Sequence, residues 1–317
     1  DPTASSDTAG QVWYNSTTGK FKIAVEGAGA WSSGDTLNTT RSYMGAAGSS
    51  NTAALVFGGD TGVGSRYLDI TESYDGTSWT ELAQLTDEYA GQFGFGTQND
   101  AMSATGATEG HGVLTNSETW GGTSWTAAPV VNTARIFGAA SGTVSTAGII
   151  FGGWFNPSPL LAVTEVFNGS AWTEVADLNS ARQYFGGSQQ GSSTAALAFG
   201  GELPGVTANT EKWDGTSWTE VNNLNTARTQ NKGAGISTSA LCIGGYLPTG
   251  SAYQVITESY DGTSWTEVGD LATGVAPGGT TGTTSSAICA GGETPSKTNA
   301  TEEWADPTYA IKTVTTS

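Results

Sequence analysis

The segment Thr71 to Glu81 reads TESYDGTSWTE, and the same eleven residues stand again at Thr257 to Glu267. Between them lie TEVFNGSAWTE from Thr164, TEKWDGTSWTE from Thr210 and a weaker copy, SETWGGTSWTA, from Ser117. The second aromatic of each copy is Trp79, Trp125, Trp172, Trp218 or Trp265, at steps of 46, 47, 46 and 47 residues. One step of 48 residues back from Trp79 lands on Trp31. A fixed period of this size marks a repeat architecture, in which each copy is one supersecondary unit.

Two further elements recur in phase. An apolar run ends in Gly-Gly at Gly59, Gly153, Gly201, Gly245 and Gly292, with Thr105-Gly106-Ala107 in the remaining copy. An arginine recurs at Arg41, Arg135, Arg182 and Arg228, with Tyr89 and Val275 in the other two positions. Each period therefore carries four short candidate strands. Strand a is Gly- and Ala-rich and follows the arginine position; strand b ends in the diglycine. Strand c is TESY-like and strand d is SWTEV-like. Pairs such as Asp75-Gly76, Gly121-Gly122, Asn168-Gly169, Asp214-Gly215 and Asp261-Gly262 predict a type I′ hairpin between c and d. Helical periodicity is absent, and Thr, Val, Tyr and Trp at the strand positions favour β structure.

Four antiparallel strands per period fit one blade of a β-propeller. The order of diglycine, aromatic, and Trp five residues later resembles the kelch repeat, and the resemblance covers roughly residues 31 to 304. It implies that the diglycine ends strand b and that the two aromatics sit on strands c and d. The strand-c aromatics are then Tyr74, Trp120, Phe167, Trp213, Tyr260 and Trp304. The expected fold is an all-β, kelch-like β-propeller of six four-stranded blades. Pro307 follows Trp304 where a type I′ turn needs φ > 0, so the last copy lacks a strand d of its own. Trp31 precedes Arg41 by the same ten residues that separate Trp172 from Arg182 and Trp218 from Arg228. An N-terminal strand at Trp31 is therefore expected to close the last blade. The alternative is a seventh blade, with Gln11–Asn15 and Phe21–Glu26 as strands b and c. The chain divides into an N-terminal hairpin or connector (1–29), the propeller (30–304) and a C-terminal tail strand (305–317).

The chain has 317 residues and a formal net charge of −18. Such acidity argues against a nucleic-acid partner and against docking on anionic lipid. No apolar run of 18 residues occurs, so no membrane insertion is expected. Much of the charge is copied with the unit, through Glu72, Glu118, Glu165, Glu211, Glu258 and Glu302 on strand c and Glu81, Glu174, Glu220 and Glu267 on strand d. A glycosidase needs two carboxyls in divergent environments, whereas copied residues share one. Asp60, Glu109, Glu202 and Glu293 are the loop acids left for such a pair. The single histidine, His111, excludes the two-histidine copper chemistry of galactose oxidase, a kelch-type enzyme. The chain is accordingly read as no enzyme, without cofactor and without a metal site. Asp60, Glu202 and Glu293 lack the dense ligand run of a Ca²⁺ loop. Cys242 and Cys289 occupy the same strand-b position in adjacent copies and read as reduced core residues. Sequons at Asn15, Asn38, Asn168 and Asn299 are expected in so Thr-rich a chain.

Trp31, Trp79, Trp125, Trp172, Trp218 and Trp265 serve every copy alike, so they are read as packing between blades rather than as sugar-stacking platforms. The copies stop agreeing in the b–c connections, residues 60–70, 108–116, 154–163, 202–209, 246–256 and 293–300. These carry Arg66, Tyr67, Trp154, Phe155, Leu160, Tyr246 and Tyr253, which strand order brings to one face as a candidate ligand or partner surface. The stretch from Gln11 to Ala24, with WYN-S-T-T-G-K-F-K at its centre, resembles a hairpin of tailed-phage fibre and appendage proteins. The resemblance implies an extracellular, non-catalytic binding or structural module at a virion surface. Its partners would be a host-surface glycan or protein and other appendage subunits, with homo-oligomerisation compatible. A secreted or surface-layer bacterial assembly protein is the alternative, and a polysaccharide-degrading enzyme a more distant one.

Overall fold

The computed structural model describes residues 1–27, 29–62, 67–110, 112–155, 160–306 and 308–314. Six four-stranded antiparallel sheets account for most of the strands. Sheet 1 holds Gly45–Ser50, Ala53–Phe57, Thr71–Tyr74 and Trp79–Glu81 as strands a to d. Sheet 2 holds Phe93–Thr97, Asp100–Thr108, Gly112–Trp120 and Trp125–Ala128. Sheet 3 holds Ala139–Val144, Ala147–Trp154, Leu160–Phe167 and Trp172–Glu174. Sheet 4 holds Gly186–Gly187, Ala196–Phe199, Thr210–Trp213 and Trp218–Val221. Sheet 5 holds Lys232–Ile236, Ser239–Ile243, Thr257–Tyr260 and Trp265–Glu267. Sheet 6 joins the two ends of the repeat region: Ala276–Thr283, Ser286–Glu293 and Lys297–Ala305 are completed by Ala30–Ser33, with Trp31 opposite Trp304.

Strand a of each sheet touches strand a of the next, and that of sheet 6 touches that of sheet 1. The diglycines tie this cycle together. The second glycine donates its N–H to the carbonyl at the arginine position one sheet on: Gly59 to Tyr89 (2.7 Å), Gly153 to Arg182 (2.8 Å), Gly201 to Arg228 (2.9 Å), Gly245 to Val275 (2.8 Å) and Gly292 to Arg41 (2.9 Å). In sheet 2, which lacks the diglycine, the Thr105 hydroxyl reaches the Arg135 carbonyl instead, at 2.5 Å. The approach explains the residue type. Gly58 and Gly59 lie at φ +63° and +108°, and a Cβ on Gly59 would stand 2.7 Å from the Ser42 carbonyl.

Each strand-d Trp packs against strand b of the preceding sheet. Trp125 lies on Leu55 and Phe57, Trp172 on Met102 with Phe95 of strand a beside it, Trp218 on Ile149 and Phe151, and Trp265 on Leu197 and Phe199. Trp79 closes on Ile288 and Ala290 of sheet 6, and the half-buried Trp31 on Leu241 and Ile243 of sheet 5. Within its own sheet, each of these six also faces the strand-c aromatic across the strand pair, with centroids 4.9 Å apart for Tyr74–Trp79 and 5.6 Å for Trp213–Trp218. A large apolar ring with an N–H needs a partner for that group when buried. Trp125 and Trp218 donate to the Thr71 and Thr164 hydroxyls at 2.8 and 3.1 Å, and Trp31 to Thr257 at 2.9 Å.

The repeated Arg and strand-c Glu are fully buried ion pairs: Arg41–Glu72 (2.8 Å), Arg135–Glu165 (2.6 Å), Arg182–Glu211 (2.5 Å) and Arg228–Glu258 (2.7 Å). Burial pulls the Arg41 guanidinium down to about 10, against the opposing pull of Glu72. A third member stands three residues before each arginine. The backbone N–H of Asn38, Asn132, Asn179 or Asn225 donates to the Glu at 2.7 or 2.8 Å, and its side chain donates to the carbonyl of the strand-d Trp. Asn38 thus has a structural task beyond its place in a sequon. The strand-d Glu are exposed. Cys242 and Cys289 are buried free thiols.

Three expectations are corrected. The c–d connections are not two-residue type I′ turns. Tyr74 pairs with Trp79, leaving four loop residues, and only Gly76 takes positive φ. Asp75 keeps negative φ because its carboxylate accepts the N–H groups of Thr77 (2.8 Å) and Ser78 (2.9 Å), which holds its pKa below the ordinary range. Second, much of the expected b–c loop is strand: sheets 2, 3 and 6 extend into hairpins, and Glu202–Leu203 with Gly205–Val206 and Tyr246–Leu247 with Ala252–Tyr253 add small ones. Third, Val12–Asn15 and Lys20–Gly27 do not join Trp31 in a seventh sheet. They pair with Thr308–Thr313 in a separate three-stranded sheet.

Candidate binding site at the centre of the b–c face

The residue after each diglycine bridges to the residue after the arginine: Ser42 with Asp60, Ile136 with Trp154, Gln183 with Glu202 and Thr229 with Tyr246. The b–c connections and the segments entering strand a therefore share one face. On that face the chain makes a sharp bend two residues after the arginine. Tyr43 (φ 55°), Phe137 (φ 61°), Tyr184 (φ 53°) and Gln230 (φ 55°) all lie in the left-handed region, as does Gly91 (φ 72°) in sheet 2. For bulky residues this conformation is strained and needs a cause. The cause is a second chain of hydrogen bonds between sheets. Gly91 N–H donates to Tyr43 O (2.9 Å), Phe137 to Gly91 (3.1 Å), Tyr184 to Phe137 (2.7 Å) and Gln230 to Tyr184 (2.6 Å). Sheet 6 has Pro277 at this position, which has no N–H to continue the chain.

The bend gathers three aromatic rings over the centre. Phe137 stacks on Tyr184 at 4.4 Å, Tyr43 meets Phe137 at 5.2 Å, and Tyr43 and Tyr184 lie 6.3 Å apart. Beneath them is a cavity of about 20 Å³ with walls from all six sheets, including Gln92, Asn231, Lys232 and Glu293. Glu293 accepts from Tyr43 Oη at 3.2 Å and from Ser42 Oγ at 3.4 Å. Burial and the Glu293 carboxylate push the Tyr43 phenol well above its ordinary value, and burial carries Tyr184 up to about 12. Both phenols therefore remain neutral hydrogen-bond donors across the physiological range.

Beside the ring cluster runs an open groove of about 490 Å³, lined by Thr40, Thr61, Tyr253, Glu293, Pro295 and Lys297 among others. Glu293 belongs to both the groove and the central cavity. Lys297 meets Asp60 at 2.7 Å and stands 5.4 Å over the Tyr43 ring, so its charge is already answered.

Among the residues expected from sequence, Tyr253 lines this groove, and Tyr246 packs on Tyr253 at 5.0 Å. Tyr67 is half-buried and bridged to Asp60. Trp154 pairs with Leu160 on the sheet 3 hairpin, and both are half-buried. Phe155 is 38% exposed. Tyr67 thus belongs to the sheet 1 connection, Trp154 and Leu160 to the sheet 3 hairpin, and Tyr246 with Tyr253 to the sheet 5 hairpin. Arg66 and His111 lie outside the described residues. Sequence reasoning missed Tyr43, Phe137 and Tyr184. The signal was present as an aromatic two residues after Arg41, Arg135 and Arg182, hidden in a segment read only as the Gly- and Ala-rich start of strand a. No protein-family model matches the chain, and no curated protein matches it in sequence.

Proposed function

We propose that the six sheets are the blades of a kelch-like β-propeller, and that the chain is a non-catalytic binding and structural module of an extracellular appendage. The cyclic order of the a strands and the hydrogen bonds running from sheet 6 back to sheet 1 support the propeller reading. The observation that carries the binding role is the Tyr43–Phe137–Tyr184 cluster, held in strained backbone beside an open groove. Strained residues at a concave surface are a signature of a functional site. Flat aromatic faces suit the C–H face of a sugar ring, and Glu293, Thr40 and Thr61 offer polar partners at its edge. The carboxylates of Glu72, Glu165, Glu211 and Glu258 are held by arginines, asparagines and backbone N–H groups, which leaves these four no catalytic freedom.

The ligand is a host-surface glycan, and the setting is the tip of a tailed-phage fibre or related virion structure. The exposed Val12 (57%), Tyr14 (56%) and Phe21 (56%) on the terminal three-stranded sheet favour attachment of that end to another subunit. Several copies in one appendage would turn weak single-site binding into avidity. The test is adsorption of particles, or binding of the purified chain to host cells, after Tyr184→Gly with Tyr253→Ala. Loss of binding by a folded variant supports the reading, and undiminished binding sinks it.

A further inference from the structure

Adjoining the cavity under the aromatic cluster is a second, partly open chamber of about 50 Å³, also walled by all six sheets. Its walls are largely Gly, Ala, Phe and Met, and Lys232 is the one charged residue on them among the described residues. Lys232 also lines the cavity above, so it stands where the two spaces adjoin. The other polar walls offer it no counter-charge. Gln92 and Gln189 are anchored by their side-chain nitrogens to the Phe57 and Ala46 carbonyls, and Thr280 donates to the Gly233 carbonyl. Gln190 spans the same centre to reach the Gly96 carbonyl at 3.0 Å.

The charged groups at the mouth are already engaged. Glu293 receives Tyr43 and Ser42, and Lys297 is held by Asp60. Among the described residues, no carboxylate pairs with Lys232. Burial alone acts on its ammonium, drawing it down to about 8, so the group remains mainly cationic at neutral pH. Lys232 is half-buried, and an ammonium held in a confined space without an anion gives up hydration that no partner replaces. This cation occurs in a chain whose net charge is −18. The chamber exceeds the space that one water needs.

We propose that the central chamber is an anion site, in which a halide ion or a carboxylate group sits against the Lys232 ammonium. The anion supplies the charge that the walls withhold. It enters either as a free ion or as the carboxylate of a ligand resting on the aromatic mouth. The proposal goes beyond the outer-face reading and does not depend on it.

The test follows the Lys232 side chain by NMR in protein carrying ¹³C-labelled lysine, assigned by its loss in Lys232→Met. Sodium chloride, sodium acetate and sodium glucuronate are titrated separately, with glucose as the uncharged control. The expected result is a saturable shift of the Lys232 signal with one or more of the anions, none with glucose, and a higher titration midpoint for the ammonium when the site is filled. A response to chloride or acetate alone identifies a free-ion site. A response that is tighter for glucuronate identifies the carboxylate of an outer ligand. A Lys232 signal that does not respond to any of the three overturns the proposal. Because that titration uses the unaltered chain, it stands even if Lys232→Met folds poorly, and Lys232→Gln provides a second assignment. Loss of host binding in Tyr184→Gly with Tyr253→Ala, while Lys232 still answers chloride, separates the two sites.

Discussion

Arg228 meets Glu258 at 2.7 Å with both side chains wholly excluded from solvent, and the same carboxylate accepts the backbone N–H of Asn225 at 2.7 Å. Removing one member of a buried pair strands the other charge. Arg228→Met should therefore lower stability by about 3–5 kcal/mol in urea unfolding. Arg228→Met with Glu258→Gln keeps the acceptor for Asn225 and deletes the stranded charge. It should recover a large part of the loss, and a double variant no better than the single one would contradict the pairing.

Glu118 shows what happens where the arginine is missing. Sheet 2 has Tyr89 at that position, and Glu118 is 2% exposed, with the Thr86 N–H on one oxygen at 3.0 Å and the Thr86 hydroxyl as a further donor. Its other oxygen has no partner, and burial lifts its pKa above the ordinary carboxylate range. A raised folded-state pKa means that its contribution to stability is full below the unfolded value and is lost as pH rises through the folded one. Glu118→Gln should thus raise the melting midpoint at pH 7, and the difference should shrink as pH falls toward about 4. Melting curves across that range check the sign.

Trp218 fills the space between sheets 3 and 4 against Ile149 and Phe151. Trp218→Ala should cost about 3–5 kcal/mol by denaturant unfolding, as for other buried large aromatics. An unchanged midpoint would place the indole outside the core.

Equivalent threonines differ in a way that isolates the indole hydrogen bond. Thr164 Oγ1 accepts from Trp218 Nε1 at 3.1 Å, whereas Thr210 Oγ1 and Trp265 Nε1, the equivalent pair, are both buried without partners. Thr164→Val should cost about 1–3 kcal/mol, because it orphans the indole N–H. Thr210→Val should be close to neutral. Equal losses at the two positions would mean that the hydroxyls act only through packing.

Tyr184 holds φ 53°, and Gly91 takes the equivalent place in sheet 2 at φ 72°. Tyr184→Gly relieves a left-handed strain of about 1–2 kcal/mol while losing the stacking with Phe137. The variant should remain folded, with a midpoint near that of the unaltered chain, and bind its ligand weakly. This makes it a better probe of the site than a variant that unfolds.

The in-phase spacing of diglycine, aromatic and Trp was enough to read six copies, their strand order and the four-stranded unit. The ten-residue gap from Trp31 to Arg41 was enough to place Trp31 opposite Trp304. These features are legible because β alternation and turn chemistry are local, and a repeat states them six times. The Arg–Glu partnership was only half legible. The residues recur together, but Asn38, Asn132, Asn179 and Asn225 became part of it only once strand c of the same sheet was folded against them. The Asp75 turn was misread because a carboxylate capping two N–H groups competes with the backbone conformation that Asp-Gly otherwise favours. The candidate site was the least legible part. Tyr43, Phe137 and Tyr184 stand 47 or more residues apart in the chain, and Lys232 reads as one charged residue in a Gly-rich strand. Only the contacts of the sheets with one another bring the rings together and set that ammonium beside the two central cavities. Contacts between copies depend on how the sheets are arranged around the centre, and no single period of the sequence contains that arrangement.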